Sequence, residues 1–378
     1  MSTSRKQTAD PAAIHRRAIV IDGHCDTPYR LLRHGVHLDE HDTEAQADFR
    51  SLREGGVTAS FFASYVPPFY AGRGAAQFAF KLIDIIQREV LRNEEIVFCD
   101  TAAGIRKAKA DDKLALMIGV EGGHAIEDSL ETLHELYRRG ARYLTLTHVN
   151  TNNWCDSSGD AGRHGGLTGF GRDVVRTMND LGMIVDVSHI SDRAFDHVIE
   201  TTRVPVIASH SSCRAICRHP RNLTDEMLRT LAKNGGVCMI NFFSAFINDD
   251  AAQVVINSKR HPKKDLEGLG GTEEMPDDRT DWDSYLKWFG TLNCPTATLD
   301  QVADHIFHAA DVAGIDHVGI GTDFDGVPSL PQGLTSASML PALTARLLER
   351  GMNAPEVEKV LGGNFLRAFE QIEQGAKG

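Results

Sequence analysis

The sequence predicts an α/β protein built as a single (β/α)8 barrel, and two observations carry that expectation: eight apolar, β-branched runs recur along the chain, and segments of helical periodicity separate them. The runs are "RAIVIDGH" (17–24), "VTASFFASY" (57–65), "LALMIGVEGG" (114–123), "ARYLTLTH" (141–148), "MIVDVSH" (183–189), "VPVIASH" (204–210), "GVCMINFF" (236–243) and "DHVGIGTD" (316–323). Nearly continuous apolar runs suit strands that are covered on both faces of a parallel sheet. Between them, "DSLETLHELYRRG", "GRDVVRTMNDLG", "SDRAFDHVIETT" and "TDEMLRTLAKNGG" show helical spacing, several with Ser, Thr or Asp at the start and Gly at the close. An open doubly wound sheet is the competing architecture, but no GxGxxG follows the first run.

Two regions break the rhythm. The stretch from about 245 to 296 is too long for a simple strand-to-helix connection and reads as an insertion over the barrel mouth after the seventh strand. The segment 354–374, "APEVEKVLGGNFLRAFEQIEQ", reads as C-terminal helices packed outside the barrel. No internal repeat or second-domain linker is visible, so 1–378 is expected to be one domain.

Composition narrows the partners. A formal net charge of −12 argues against an extended nucleic-acid surface, which needs clustered Lys and Arg to neutralise phosphates, and favours a small molecule. The N-terminus lacks a continuous apolar stretch and no later segment offers about 18 uninterrupted apolar residues, so no export signal or membrane span is expected. Seven scattered Cys do not form a disulfide framework, which fits a reducing cytoplasm. Cys213 and Cys217, without a second Cys pair, do not read as a structural zinc site.

The C-terminal ends of the predicted strands carry His24 and Asp26, Glu121, His148, His189, His210 and Asp323. Parallel strands bring these ends to one mouth, where barrel active sites form. In "VIDGHCDTP", alternate residues of an extended chain share a side, so His24 and Asp26 could bind one ion while Cys25 packs away from it. The competing reading is an Asx turn made by Asp26. Asp22 shares parity with His24 and is expected to cap or orient.

Imidazoles with carboxylates suit zinc or a similar ion more than magnesium, and the donors suffice for two metals if Glu121, flanked by glycines in "GVEGG", bridges them. Such a pair favours hydrolysis, with Asp323 as proton acceptor and donor. His148 is either a further ligand or a donor to the developing oxyanion.

In order and spacing, "IDGHCDTP", "GVEGGHAI", "RYLTLTHVNTNNW", "DVSHIS", "IASHSSCRAICRHPRNLTD" and "GIGTDFDGVP" resemble the membrane dipeptidase (renal dipeptidase) family of dinuclear zinc peptidases, over about residues 18–370. The resemblance implies two zinc ions per chain, one on His24, Asp26 and Glu121 and one on Glu121, His189 and His210, with a bridging hydroxide attacking the peptide bond of L,L and also L,D dipeptides. It further implies that His148 contacts the carbonyl oxygen, that Asp323 is the acid/base near the substrate amine, and that Arg221 clamps the substrate carboxylate. From sequence alone Arg221 reads as a surface ion pair. A homodimer is compatible with the resemblance.

Some positions depart from the family pattern. The chain ends in the polar "EQGAKG", so the lipid anchor of animal cell-surface relatives is not expected, and "NFF" (Asn241, Phe242, Phe243) stands where the family has "NFY". Other amidohydrolase-like activities, on lactones, cyclic amides or N-acyl amino acids, would use the same metal centre, and a dipeptide- or metal-binding barrel without turnover is the reading from a different class.

Overall fold

The computed structural model describes residues 10–40, 42–258 and 278–377. Among the described residues nine parallel strands are present: β1 (Val20–Cys25), β2 (Val57–Tyr65), β3 (Ile96–Phe98), β4 (Leu114–Glu121), β5 (Ala141–Thr145), β6 (Ile184–Asp186), β7 (Ile207–Ala208), β8 (Val237–Ile240) and β9 (Val318–Ile320). All but β3 form a closed barrel, because β2 pairs with both β1 and β4 and so joins the two ends of the strand order. The expected (β/α)8 barrel is therefore the observed one. The extra strand β3 lies beside Leu114 to Leu116 of β4, ahead of the point where β5 begins to pair at Ile118.

Side-chain alternation separates two cores. Ile21, Ala59, Phe61, Ala115, Met117, Tyr143, Ile207, Val237 and Met239 fill the barrel interior, while Leu114, Leu116, Ile118 and Val120 of β4 face the surrounding helices. The inward parity of Ala115 and Met117 carries Glu121, the last residue of β4, into the mouth. Gly119 lies opposite Tyr143 in the register, and a methyl group there would stand 1.9 Å from the Tyr143 ring, so only glycine leaves that ring room inside the barrel.

The helices start where the sequence predicts. Ser129, Thr168, Ser191 and Thr224 each accept a hydrogen bond from the third backbone N–H of the following helix, an N-cap worth about 1 kcal/mol. The C-terminal helix Asn364–Gln374 differs from expectation in its docking. It does not lie against the outer wall; Phe365 and Phe369 join the interior cluster, and the Phe365 ring meets Phe61 at 5.4 Å.

Most of the strands stop earlier than the apolar runs suggest, for a physical reason. Two buried carboxylates take backbone donors that a ladder would otherwise use: Asp22 accepts from His24 N and Thr322 N, and Asp186 accepts from Ser188 N and Ser209 N. The polar residues beyond are thus held by side chains rather than by strand pairing.

After β8 the chain forms short helices Ser244–Ile247 and Asp249–Asn257, and a further helix Asp278–Gly290 follows. Phe246 and Val255 of these two short helices line the cavity at the mouth, and the part of the expected insertion from 259 to 277 lies outside the described residues. Among the described residues no helix is long and apolar enough to cross a membrane.

Candidate metal centre and active site

The sequence-predicted residues converge. His24, Asp26, Glu121, His148, His189, His210, Arg221 and Asp323 are all buried, and all but His24 and His210 line one cavity of about 530 Å³ at the carboxyl end of the barrel. Glu121 stands at the centre. Its Oε1 lies 3.0 Å from His189 Nε2 and 3.4 Å from His210 Nε2, while its Oε2 lies 3.5 Å from His24 Nε2. Asp26 Oδ2 is 3.4 Å from the same His24 nitrogen. The two carboxylate oxygens of Glu121 therefore face two separate imidazole groups.

These donors fit divalent ions. A tetrahedral ion with nitrogen ligands at about 2.0–2.1 Å sets neighbouring ligand atoms roughly 3.3 Å apart, and the atoms here lie between 2.9 and 3.5 Å. Among the described residues three buried groups of ligand-competent atoms result: His24 with Glu121 and His210, Glu121 with His148 and His189, and His24 with Asp26 and Asp323. His24 Nε2 and Asp26 Oδ1 have no hydrogen-bond partner, an arrangement that burial makes costly unless a cation is held there.

The electrostatics agree. Burial pushes the Asp26 carboxyl up to about 7. Burial also opposes charge on His24, yet Tyr143, Glu121 and Asp26 hold its proton affinity well above the ordinary value. Glu121 would be raised by burial, but His24, His148 and the other imidazoles keep it well below the usual carboxylate range. Glu121 is thus the carboxylate held in its charged form, and it and Asp26 favour positive charge on His24.

The structure settles the alternatives that sequence left open. Asp26 stands at the N-cap of helix Thr27–His34 but makes no side-chain cap bond, so the Asx reading does not describe it. Cys25 packs outward, its Sγ 3.0 Å from Thr27 Oγ1. The Asp22 parity argument fails, because β1 shifts register between Asp22 and Cys25; the expected orienting role holds, with Thr322 Oγ1 donating to Asp22 at 2.7 Å. Arg221 is not a surface ion pair. It is 6% exposed, and donates to Ser211 Oγ and His210 O, while its Nε has no partner. Burial lowers its pKa to about 10, which leaves it charged at neutral pH.

Several orienting residues were not anticipated. Tyr143 Oη lies 2.7 Å from His24 Nδ1, and Ser209 Oγ lies 2.7 Å from His210 Nδ1 while donating to Asp186 at 2.6 Å. Both contacts turn Nε2 toward Glu121, as outer partners of metal-binding histidines do. Asn241 Nδ2 donates to Asp323 Oδ2 at 2.8 Å and leaves the other oxygen facing Asp26. Gly326 is required beside them: a Cβ there would lie 1.9 Å from Asp26 Oδ2 and 2.7 Å from Asp323 Oδ1. His189 and Asp323 adopt left-handed φ of 71° and 64°, a conformation disfavoured for non-glycine residues and concentrated at functional sites. An acid inside the apolar "MIVDVSH" was the available signal for Asp186; nothing in sequence marked Tyr143.

Fold and site together define a barrel hydrolase with a metal-binding mouth. The chain belongs to the membrane dipeptidase family, peptidase family M19, whose model matches residues 8–378. Dipeptidase 3 of Mus musculus is 34% identical over 374 residues, covering 96% of this chain and 66% of the mouse protein. The chain thus spans about two thirds of the length of such curated relatives. The probable dipeptidase PvdM from Pseudomonas aeruginosa has a TM-score of 0.83 at 25% identity, covering 99% of this chain and 100% of that one. A metallo peptidase from Rhodobacter sphaeroides, liganded with a phosphinate mimic of the dipeptide L-Ala-D-Ala, has a TM-score of 0.75 at 26% identity, covering 94% and 99%.

Proposed function

We propose that the chain is a zinc-dependent dipeptidase that hydrolyses L,L and L,D dipeptides, with two Zn2+ bridged by Glu121. The observation that carries this is the division of the Glu121 oxygens, Oε1 toward His189 and His210 and Oε2 toward His24, with Asp26 beyond. The first three would hold one ion, and His24, Asp26 and the other Glu121 oxygen the second. Bound there, the metal pair would lower the pKa of a shared water and polarise the carbonyl it attacks.

The protein's own groups supply the rest. Asp323, oriented by Asn241 and within reach of Asp26, takes the water's proton and returns it to the leaving amine. Arg221 offers its unpartnered Nε to the substrate carboxylate, a planar fork already fixed by Ser211 and His210. His148, its ring 4.5 Å from His189, stands beside the centre to donate to the carbonyl oxygen as negative charge develops. The L,D part of the reading is supported by the relative from Rhodobacter sphaeroides solved with an L-Ala-D-Ala mimic.

The same reading takes the enzyme to be cytoplasmic, supported by seven free cysteines, and to act on free dipeptides as a monomer or homodimer, away from membranes and nucleic acid. The test is hydrolysis of an L,L and L,D dipeptide panel by zinc-loaded protein, with Asp323→Asn as control. Turnover of dipeptides that falls about 100-fold or more in the variant, with zinc retained, is expected. Two bound zinc equivalents with turnover only of lactones or N-acyl amino acids would favour the broader amidohydrolase-like reading.

A further inference from the structure

The cavity has unlike walls. The proposed metal ligands, Asp323 and Asp325 give the charged side, with Tyr29, Tyr65, Trp282 and Tyr285 also lining the cavity; a further apolar wall is built after β8, where Phe243, Phe246, Val255 and Ile256 face the same space. Phe246 is fixed in place, its ring 4.9 Å from Phe243 and 4.6 Å from His219. The Arg221 guanidinium carbon lies over that ring at 5.2 Å, a cation–π contact that ties the clamp to the wall. Ile256 is 43% exposed, an unusual large apolar side chain at the rim of a polar centre.

This arrangement bears on the substrate and rests on the dipeptidase reading above. A carboxylate on Arg221 belongs to the C-terminal residue, and the side chain of that residue branches from the adjacent carbon. Phe246 lies against the guanidinium, and Val255 and Ile256 line the same cavity, so this apolar surface is open to that side chain. We propose that the enzyme prefers dipeptides with a bulky apolar C-terminal residue, and that Phe246 is the specificity-determining residue. A basic side chain meets no carboxylate among the described residues of this wall. An acidic one would be desolvated against the ring while Arg221 is occupied by the α-carboxylate.

The test is kcat/KM for zinc-loaded enzyme on L-Ala-Xaa with Leu, Phe, Gly, Asp and Lys in the second position. Leu and Phe should exceed Gly by about 10-fold to 100-fold, with Asp and Lys at or below Gly. Phe246→Ala should remove most of the Leu to Gly ratio. Since Phe246 also backs Arg221, Ile256→Ser at the exposed rim provides a second variant, which should lower the same ratio by a few fold. A ratio near one in the wild type, or one unchanged in both variants, overturns the inference while leaving dipeptidase activity standing. Absence of turnover on every dipeptide overturns the proposed function and this inference with it.

Discussion

Replacing Tyr143 by Phe removes one oxygen atom from the protein interior and should weaken metal binding from outside the ligand set. Tyr143 Oη is 2.7 Å from His24 Nδ1, and both side chains are fully buried. The ring itself should stay, because Phe retains the contact with Phe61 at 4.8 Å and the space that Gly119 leaves free. What changes is the cost of holding His24 with Nε2 toward Glu121 and Asp26, since Nδ1 then has no partner in that orientation. An unpaired buried donor costs about 1–3 kcal/mol, and at about 1.4 kcal/mol per decade this corresponds to roughly 5-fold to 140-fold in affinity. The range agrees with the effect of removing outer partners of metal ligands in general. Zinc affinity measured by competition with a chromophoric chelator is the assay, with circular dichroism of the metal-free variant to verify folding. Affinity within about twofold of wild type in a folded variant would falsify the argument.

Other expectations follow from the same geometry. Gly326→Ala should abolish dipeptide turnover and reduce zinc stoichiometry, because its Cβ would stand 1.9 Å from Asp26 Oδ2; full activity would show that the loop yields easily. Arg221→Lys should raise KM by about 10-fold to 100-fold with a smaller change in kcat, as a point charge replaces a fork; steady-state kinetics on one dipeptide decide it. Acid should destabilise the fold in part through His305, whose Nδ1 accepts from Cys213 N and whose Nε2 donates to Ile247 O. Burial lowers this imidazole from 6.5 to about 4, so the native state binds fewer protons than the unfolded chain between those values. Its stabilising contribution is complete above pH 6.5 and falls with pH, by roughly 3 kcal/mol at pH 4. Urea midpoints should drop less steeply from pH 7 to 5 in His305→Gln than in wild type, and parallel slopes would refute the assignment.

The barrel was legible because each strand is apolar on both faces, a pattern that survives without any knowledge of contacts. β3 was not, since "IVF" is three residues set among "NEE" and "CDT" and reads as a turn. The candidate ligands were legible because His and acids at the ends of apolar runs are conspicuous, and the structure gathers them into groups able to hold a metal. Parity failed in β1, where a register shift falls between Asp22 and Cys25. Tyr143 was hidden because an aromatic residue in a strand needs no explanation beyond packing; Arg221 was singled out only by the family resemblance, because its burial depends on residues from other elements folding over it.

The seam of the barrel has a consequence for how the protein is made. β1 and β9 meet through the register pair of Asp22 with Ile320 and, just beyond it, the bridge of Cys25 with Phe324, reinforced by the bonds from Thr322 to Asp22 across 300 positions of chain. The cylinder closes only after nearly the whole polypeptide has left the ribosome, and contacts so distant in sequence form slowly. Until then His24 and Asp26 wait on an open edge while Asp323 is still to be synthesised. Metal loading is accordingly expected to be a late, post-translational event, and a chain truncated before Thr322 should be left with an open sheet rather than a weakened enzyme.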